Sequence, residues 1–203
     1  MINERDHSAL IDAMGNDTIV YPDVEFLIEN HQHDGRGITL GSHCCIYPRN
    51  RFVLGDMGTN RSADLAIGNY VLINAGGYLS GEGGLTIHDY ALIGPNVCIL
   101  SAGHMYRDPT TPIRRQPLTY GAITIGRDAW IGGGSVVLQG VSVGAGAIVG
   151  AGSVVTEDIP PNAVAVGNPA RIMKYRGAPL IEKTRYHKII YRLKTLFSGG
   201  GIK

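Results

Sequence analysis

Aliphatic residues recur along this chain at a spacing of six. From Ile125 the hexads read IGRDAW, IGGGSV, VLQGVS, VGAGAI, VGAGSV and VTEDIP, with anchors at 125, 131, 137, 143, 149 and 155. Four places after each anchor stands a mostly small residue: Ala129, Ser135, Val141, Ala147, Ser153 and Ile159. Glycine follows the anchor at 126, 132, 144 and 150, but Leu138 and Thr156 take that place in every third hexad. The pattern therefore has a longer period of eighteen, as three short faces per turn of a coil would give. Alternation over each short stretch points the anchor and the small residue inward, and the next residues turn the corner. Glycine near each corner permits backbone conformations that a Cβ would penalise. Stacked coils then bury a ladder of Ile and Val, and each coil's backbone pairs with its neighbours. The expected fold is all-β, a parallel β-helix of hexapeptide repeats.

Upstream the pattern is less clean. Ile87, Ile93 and Ile99 make one coil, Ile67, Ile73 and Leu79 another, and Leu40, Ile46 and Phe52 a third, while a worn fragment around Val20 and Phe26 begins the series. Two excursions interrupt it. One runs from Asp56 to Ala66; the other, over 105–124, carries Pro109, Pro112 and Pro117 with Arg107, Arg114 and Arg115. A long loop leaving a rigid scaffold is often functional. Ile159, Pro160 and Pro161 end the repeat. The expected organisation is a β-helix domain over 1–178, with a short N-terminal segment 1–18, followed by a C-terminal helix and tail over 179–203. In that tail Tyr186, Ile189, Ile190, Leu193, Leu196 and Phe197 share one face at helical spacing, flanked by basic residues. A helix over 180–197 could pack on the protein itself or rest on a membrane surface; the pattern is compatible with both.

Composition narrows the function. Among 203 residues there are 29 Gly but only 3 Phe and 1 Trp, which suits tight turns around small interior side chains. Net charge is +1, so nothing global favours nucleic acid as a partner. Cys44, Cys45 and Cys98 imply neither a disulfide framework nor a CxxC metal pair. The stretch MINERDHSALIDAM lacks a secretory apolar core, and no apolar run reaches bilayer length, so a cytoplasmic setting is expected.

The hexad run closing with IPPNAVAVGNPARIMK resembles the hexapeptide-repeat acyltransferases, specifically the galactoside and maltose O-acetyltransferase group, over about Leu40 to Lys174. The resemblance implies a left-handed coil and a homotrimer with active sites between subunits. It implies acetyl-CoA as co-substrate, a sugar or sugar-nucleotide acceptor, and no metal. In LSAGHMY it makes His104 the catalytic base, since imidazole can take a proton from a sugar hydroxyl at neutral pH. In VLINAGG it gives Asn74 a role in holding the acceptor or the oxyanion, and in YLSGEGG it makes Glu82 an acceptor contact. For CoA it implies a groove flanked by Trp130 and Gly133 in IGRDAWIGGG, with Ala151 and Thr156 one coil on. Arg171 and Lys174 in GNPARIMK would meet its phosphates. This chain departs from its relatives at Glu157, where they often carry a basic residue, and in 1–18, where their longer helical segment is not recognisable. The expected acceptor is therefore a surface polysaccharide or its precursor.

Three other readings stay open. The first is N-acetylation of a nucleotide-linked amino sugar, for which the same His would serve. The second is a metal-dependent lyase resembling the γ-class carbonic anhydrases, which needs three converging His; His31, His33 and His43 are the one cluster available. The third is a non-catalytic β-helix.

Overall fold

The computed structural model describes residues 10–32 and 34–177. Each hexad forms one short strand and one corner, and three parallel sheets result. The first sheet stacks, in order, Ala13–Met14, Ile38–Leu40, Leu65–Ile67, Leu85–Ile87, Ile123–Ile125 and Ser142–Val143. The second stacks Ile19–Val20, Cys45–Ile46, Leu72–Ile73, Leu92–Ile93, Trp130–Ile131, Ile148–Val149 and Ala163–Val166. The third stacks Glu25–Glu29, Arg51–Asp56, Tyr78–Ser80, Cys98–Leu100, Val136–Leu138 and Val154–Val155. The chain visits the sheets in rotation, which makes a three-sided parallel β-helix.

The anchors form the core. Leu40, Ile67, Ile87, Ile125 and Val143 lie in register on the first sheet. Ile46, Ile73, Ile93, Ile131 and Val149 do so on the second, and Phe52, Leu79, Ile99, Val137 and Val155 on the third. None of these is more than 4% exposed. Burying one such side chain contributes about 1.5–3 kcal/mol before ordering costs are met. The small residues at the following inward position are buried too, and the polar ones are satisfied: Ser135 and Ser153 both donate to the Gly150 carbonyl.

The corners divide the work differently from the expectation. The glycine directly after the anchor is not the residue with unusual torsions; it is needed for close approach. A Cβ on Gly126 would sit 2.5 Å from the Ala145 nitrogen, and one on Gly132 equally close to the Ala151 nitrogen. The left-handed residue comes two places later. At the first corner it is Asp17, His43, Tyr70, Tyr90, Asp128, Gly146 and Asn162 in successive coils. The aromatic members stack, His43 on Tyr70 at 4.7 Å and Tyr70 on Tyr90 at 4.9 Å, and the Arg127 guanidinium lies 5.2 Å over Tyr90.

The first coil is complete, beginning at Ala13–Met14 rather than near Val20. The central excursion leaves the third corner as an antiparallel pair, Ala102–His104 with Leu118–Tyr120, and the coil resumes at Ile123. After Ala163–Val166 the chain turns back, and Arg171–Tyr175 pairs antiparallel with that strand. The helix expected over 180–197 lies outside the described residues. Among the described residues no helix is long and apolar enough to cross a membrane.

The outward columns differ between faces. The first sheet presents Thr39, Ala66, Thr86, Thr124 and Ser142. The second presents Cys45, Leu72, Leu92, Trp130, Ile148 and Val164, an apolar series.

Candidate active site

The third corner gathers His104 and Glu82. His104 ends the strand Ala102–His104, opposite Leu118, and its side chain is exposed. It therefore belongs to the stem of the excursion rather than to the coil itself. The stem is held on the coil by backbone bonds: the Gly121 N–H donates to the Ser101 carbonyl, and the Met105 N–H to that of Pro117. A group on such a stem has a fixed origin and a solvent-facing tip, as a proton acceptor requires.

Glu82 lies one coil earlier at the same corner, and it is half-buried rather than freely solvated. Its Oε2 accepts from the Ser80 hydroxyl at 3.1 Å, and its carbonyl from Asn60 Nδ2 at 2.7 Å. Ser80 is in turn 3.0 Å from the Ser101 hydroxyl, which donates to the Ser80 carbonyl and accepts from the Gly83 N–H. Both serines are essentially inaccessible to solvent. A Cβ on Gly55 would come within 3.1 Å of Glu82 Oε1, so that glycine leaves room for the carboxylate. The charge is felt nearby: burial first and Glu82 second push the Tyr120 phenol above its ordinary range.

Asn74 sits at the second corner, at the opposite edge of the third sheet. Its backbone N–H and its Nδ2 both donate to the Ile93 carbonyl, at 2.9 and 3.2 Å. Buried Asn50 holds this turn from the previous coil, with Nδ2 donating to the Asn74 carbonyl at 2.9 Å and Oδ1 accepting from the Gly77 N–H. The strand Tyr78–Ser80 separates Asn74 from Glu82. One chain thus brings His104 and Glu82 to a common corner and leaves Asn74 at another.

Most of the residues expected to hold CoA lie along the second sheet and its second corner in the upper coils, with Thr156 apart at the third corner. Trp130 points outward and is 47% exposed. Its register column continues through Ile148 and Val164 to Lys174, about 14 Å across three strand spacings. Gly133 packs on Pro95, where a Cβ would meet ring carbons and the carbonyl at 3.1 Å. Ala151 is exposed at the same corner one coil on, and Thr156 is exposed beyond the next strand. Arg171 pairs with Val166 across the last strands, and its Nη2 lies 3.9 Å from Glu157 Oε1, so the departing glutamate faces one expected phosphate ligand. An exposed indole and two cations on one face fit an elongated, anionic thiol ester carrier, while the space a Cβ on Gly133 would fill is already taken by Pro95.

Sequence reasoning did not single out Ser80, Ser101 or Asn50. Ser101 could have been found: alternation from Ile99 makes it an inward position, where a polar residue is unusual. For metal, His31 bonds Asp12 and His43 stacks on Tyr70; His33 lies outside the described residues. Among the described residues no group of three or more His, Cys, Asp or Glu is placed to hold an ion.

Comparison with known proteins agrees with this architecture. Residues 122–157 match the family model described as bacterial transferase hexapeptide (six repeats). Nodulation protein L of Rhizobium leguminosarum bv. viciae is 50% identical over 111 residues, 54% of this chain and 56% of that one. A solved galactoside acetyltransferase in complex with coenzyme A superposes with a TM-score of 0.52 at 27% identity, covering 83% of this chain and 66% of that one. AntD, an N-acyltransferase from Bacillus cereus, shares the fold with a TM-score of 0.68 over 93% of this chain and 94% of that one, at 21% identity. The chain carries the hexapeptide repeat of the bacterial transferases and resembles the acyltransferases built on it. It spans about half the length of the curated relatives it matches.

Proposed function

We propose that this protein is an acetyl-CoA-dependent acetyltransferase that acetylates a sugar hydroxyl, on a left-handed coil assembled as a homotrimer. The observation that carries the reading is the third corner, where exposed His104 stands on a hydrogen-bonded stem one coil on from a supported carboxylate, Glu82. The likenesses to nodulation protein L and to the CoA-bound galactoside acetyltransferase support the reaction class.

Acetyl-CoA, when bound, supplies the activated acyl group. The residues of this chain do the rest. His104 accepts the proton of the acceptor hydroxyl as it attacks. Glu82, held by Ser80, orients the acceptor or the imidazole. Asn74 Nδ2 has a second hydrogen to offer toward charge developing on the acyl oxygen. Because Asn74 and His104 occupy different corners of one chain, this division of labour calls for Asn74 of a second copy beside His104 of the first. Trp130, Gly133, Ala151 and Thr156 would line the carrier's groove, with Arg171 and Lys174 at its anionic end. Glu157 lowers the net positive charge available there.

Release of CoA thiol, followed with a panel of galactosides, glucosides and nucleotide-linked amino sugars, tests the reading. His104→Ala should lose about 10²–10⁴-fold in rate, the usual span for removal of a general base, with an unchanged far-UV spectrum. Near-normal turnover in that variant would remove His104 from the mechanism. Turnover confined to the amines would replace the hydroxyl by an amino group as nucleophile.

A further inference from the structure

A polar pocket of about 530 Å³ opens at the second corner of the first three coils, lined by Asp23, Glu25, Arg49, Arg51, Tyr78 and the Gly76 turn. None of these side chains has a part in the chemistry above. Arg49 adopts a left-handed φ of 63° at the place that later coils give to Gly76, Asn96, Gly134 and Gly152. A residue bearing a Cβ is disfavoured in that conformation, so an arginine there is a choice the corner does not need. Among the described residues, its guanidinium makes no ion pair or side-chain hydrogen bond. Arg51 gives Nε to Glu25 Oε2 at 2.7 Å and keeps its remaining N–H groups for other partners.

The balance of charge says what would fit. Two guanidiniums and two carboxylates cancel, so the pocket has little net attraction for a phosphate. It offers fixed donors and fixed acceptors side by side with an aromatic ring, which matches the alternating hydroxyls and apolar face of a pyranose. The pocket shares its corner with Asn74, whose turn runs on through Gly76 and Gly77 into the lining, and the proposed assembly sets that corner beside His104 of another copy. Tyr78 opens the strand Tyr78–Ser80, and Glu82 stands about 13 Å further along the chain at the strand rise. The phenol is pushed up by burial first and by the Glu82 carboxylate second, so that charge is felt at the pocket's lining.

We propose that this pocket is an acceptor subsite for a second sugar unit, so that the preferred acceptor is an oligosaccharide or glycoside rather than a free monosaccharide. The proposal rests on the reading of the protein as a sugar acetyltransferase, and binding without turnover separates the two. The probes are galactose-, glucose- and N-acetylglucosamine-based saccharides of one to four units, titrated calorimetrically into the full chain without CoA and then assayed with acetyl-CoA. At least one series should bind more tightly from two units upward. Arg49→Gly, which restores the residue this corner ordinarily holds and so leaves folding intact, should weaken that binding about tenfold, as loss of a charge-assisted hydrogen bond does. Monosaccharide kcat/KM should not change. No saccharide binding, no length preference, or equal loss for monosaccharide overturns the subsite, as does Arg49-dependent binding of thymidine diphosphate in place of the saccharides. Arg49-dependent oligosaccharide binding without acetyl transfer keeps the subsite and sinks the acetyltransferase reading instead.

Discussion

Two glycines of neighbouring corners show how differently single residues are constrained in this coil. Gly126 has ordinary torsions, but its missing Cβ makes room for the Ala145 backbone. Gly134 has open space around it and a φ of +68°. Substitutions should therefore separate the two causes. Gly126→Ala should cost about 3 kcal/mol through overpacking that backbone cannot relieve. Gly134→Ala should cost about 1 kcal/mol, the left-handed penalty alone. Asn should rescue position 134, since it tolerates the left-handed region, and should do nothing for 126; urea denaturation of the four variants reads the difference. The sequence shows where these glycines fall but not which constraint acts on each, because a period of six reveals position without torsion. The resemblance and a place before the excursion single out His104 in the sequence, whereas nothing singles out Asn50: it reads as a turn residue, and only the stacking reveals that it holds the Asn74 turn above it.

At the scale of elements the excursion is better ordered than its composition suggests. Gln116, buried within it, donates to the carbonyls of Asp108 and Thr111 and accepts from the Asp108 N–H. Asp108 is held down to about 2, from an ordinary 3.8, by hydrogen bonds from Thr110 and Thr111. A depressed carboxylate stabilises above its unfolded value and ceases to do so as pH falls through the folded one. The contribution of this turn should thus be complete above about pH 4 and fade between 3.8 and about 2. The protection factor of the Thr110 amide, taken against the intrinsic exchange rate at each pH, should fall across that interval, and Asp108→Asn should abolish that change. The strands of the coil were legible as hexads, since anchor and small residue follow directly from alternation. The stem Ala102–His104 was not, because its partner lies beyond three prolines and pairs antiparallel in a molecule that otherwise pairs parallel.

At the scale of the whole molecule, the faces are unequal. The Thr-rich column of the first sheet suits water, while the column through Leu72, Leu92 and Ile148 on the second presents apolar groups of the kind that mark contact surfaces. If the proposed trimer uses that face, Leu92→Glu should sediment as a 21.7 kDa chain and Thr86→Glu should stay assembled; dissociation by the second variant alone would assign the contact to the other face. Register from Leu40 onward was readable from the sequence, because each coil repeats the last, whereas the opening strand Ala13–Met14 was not. Assembly was not, since outward residues obey no period and must be read from the stacked columns.

The antiparallel return of Arg171–Tyr175 carries a consequence of its own. A solenoid has no intrinsic last turn: its final strand offers the same unpaired N–H and C=O groups that every earlier strand used to recruit its neighbour. A second molecule could continue the stack from there, and a third from it, toward a filament. By reversing direction on Ala163–Val166 and covering that edge with a strand bearing Arg171 and Lys174, the chain occupies one of the three growth edges, that of the second sheet, with its own backbone. A reversed, cationic strand is a poor template for the parallel, uncharged strand that would have to follow. The strand that carries Arg171 and Lys174, the two residues expected to meet a phosphate, thus also closes the second sheet against further parallel growth.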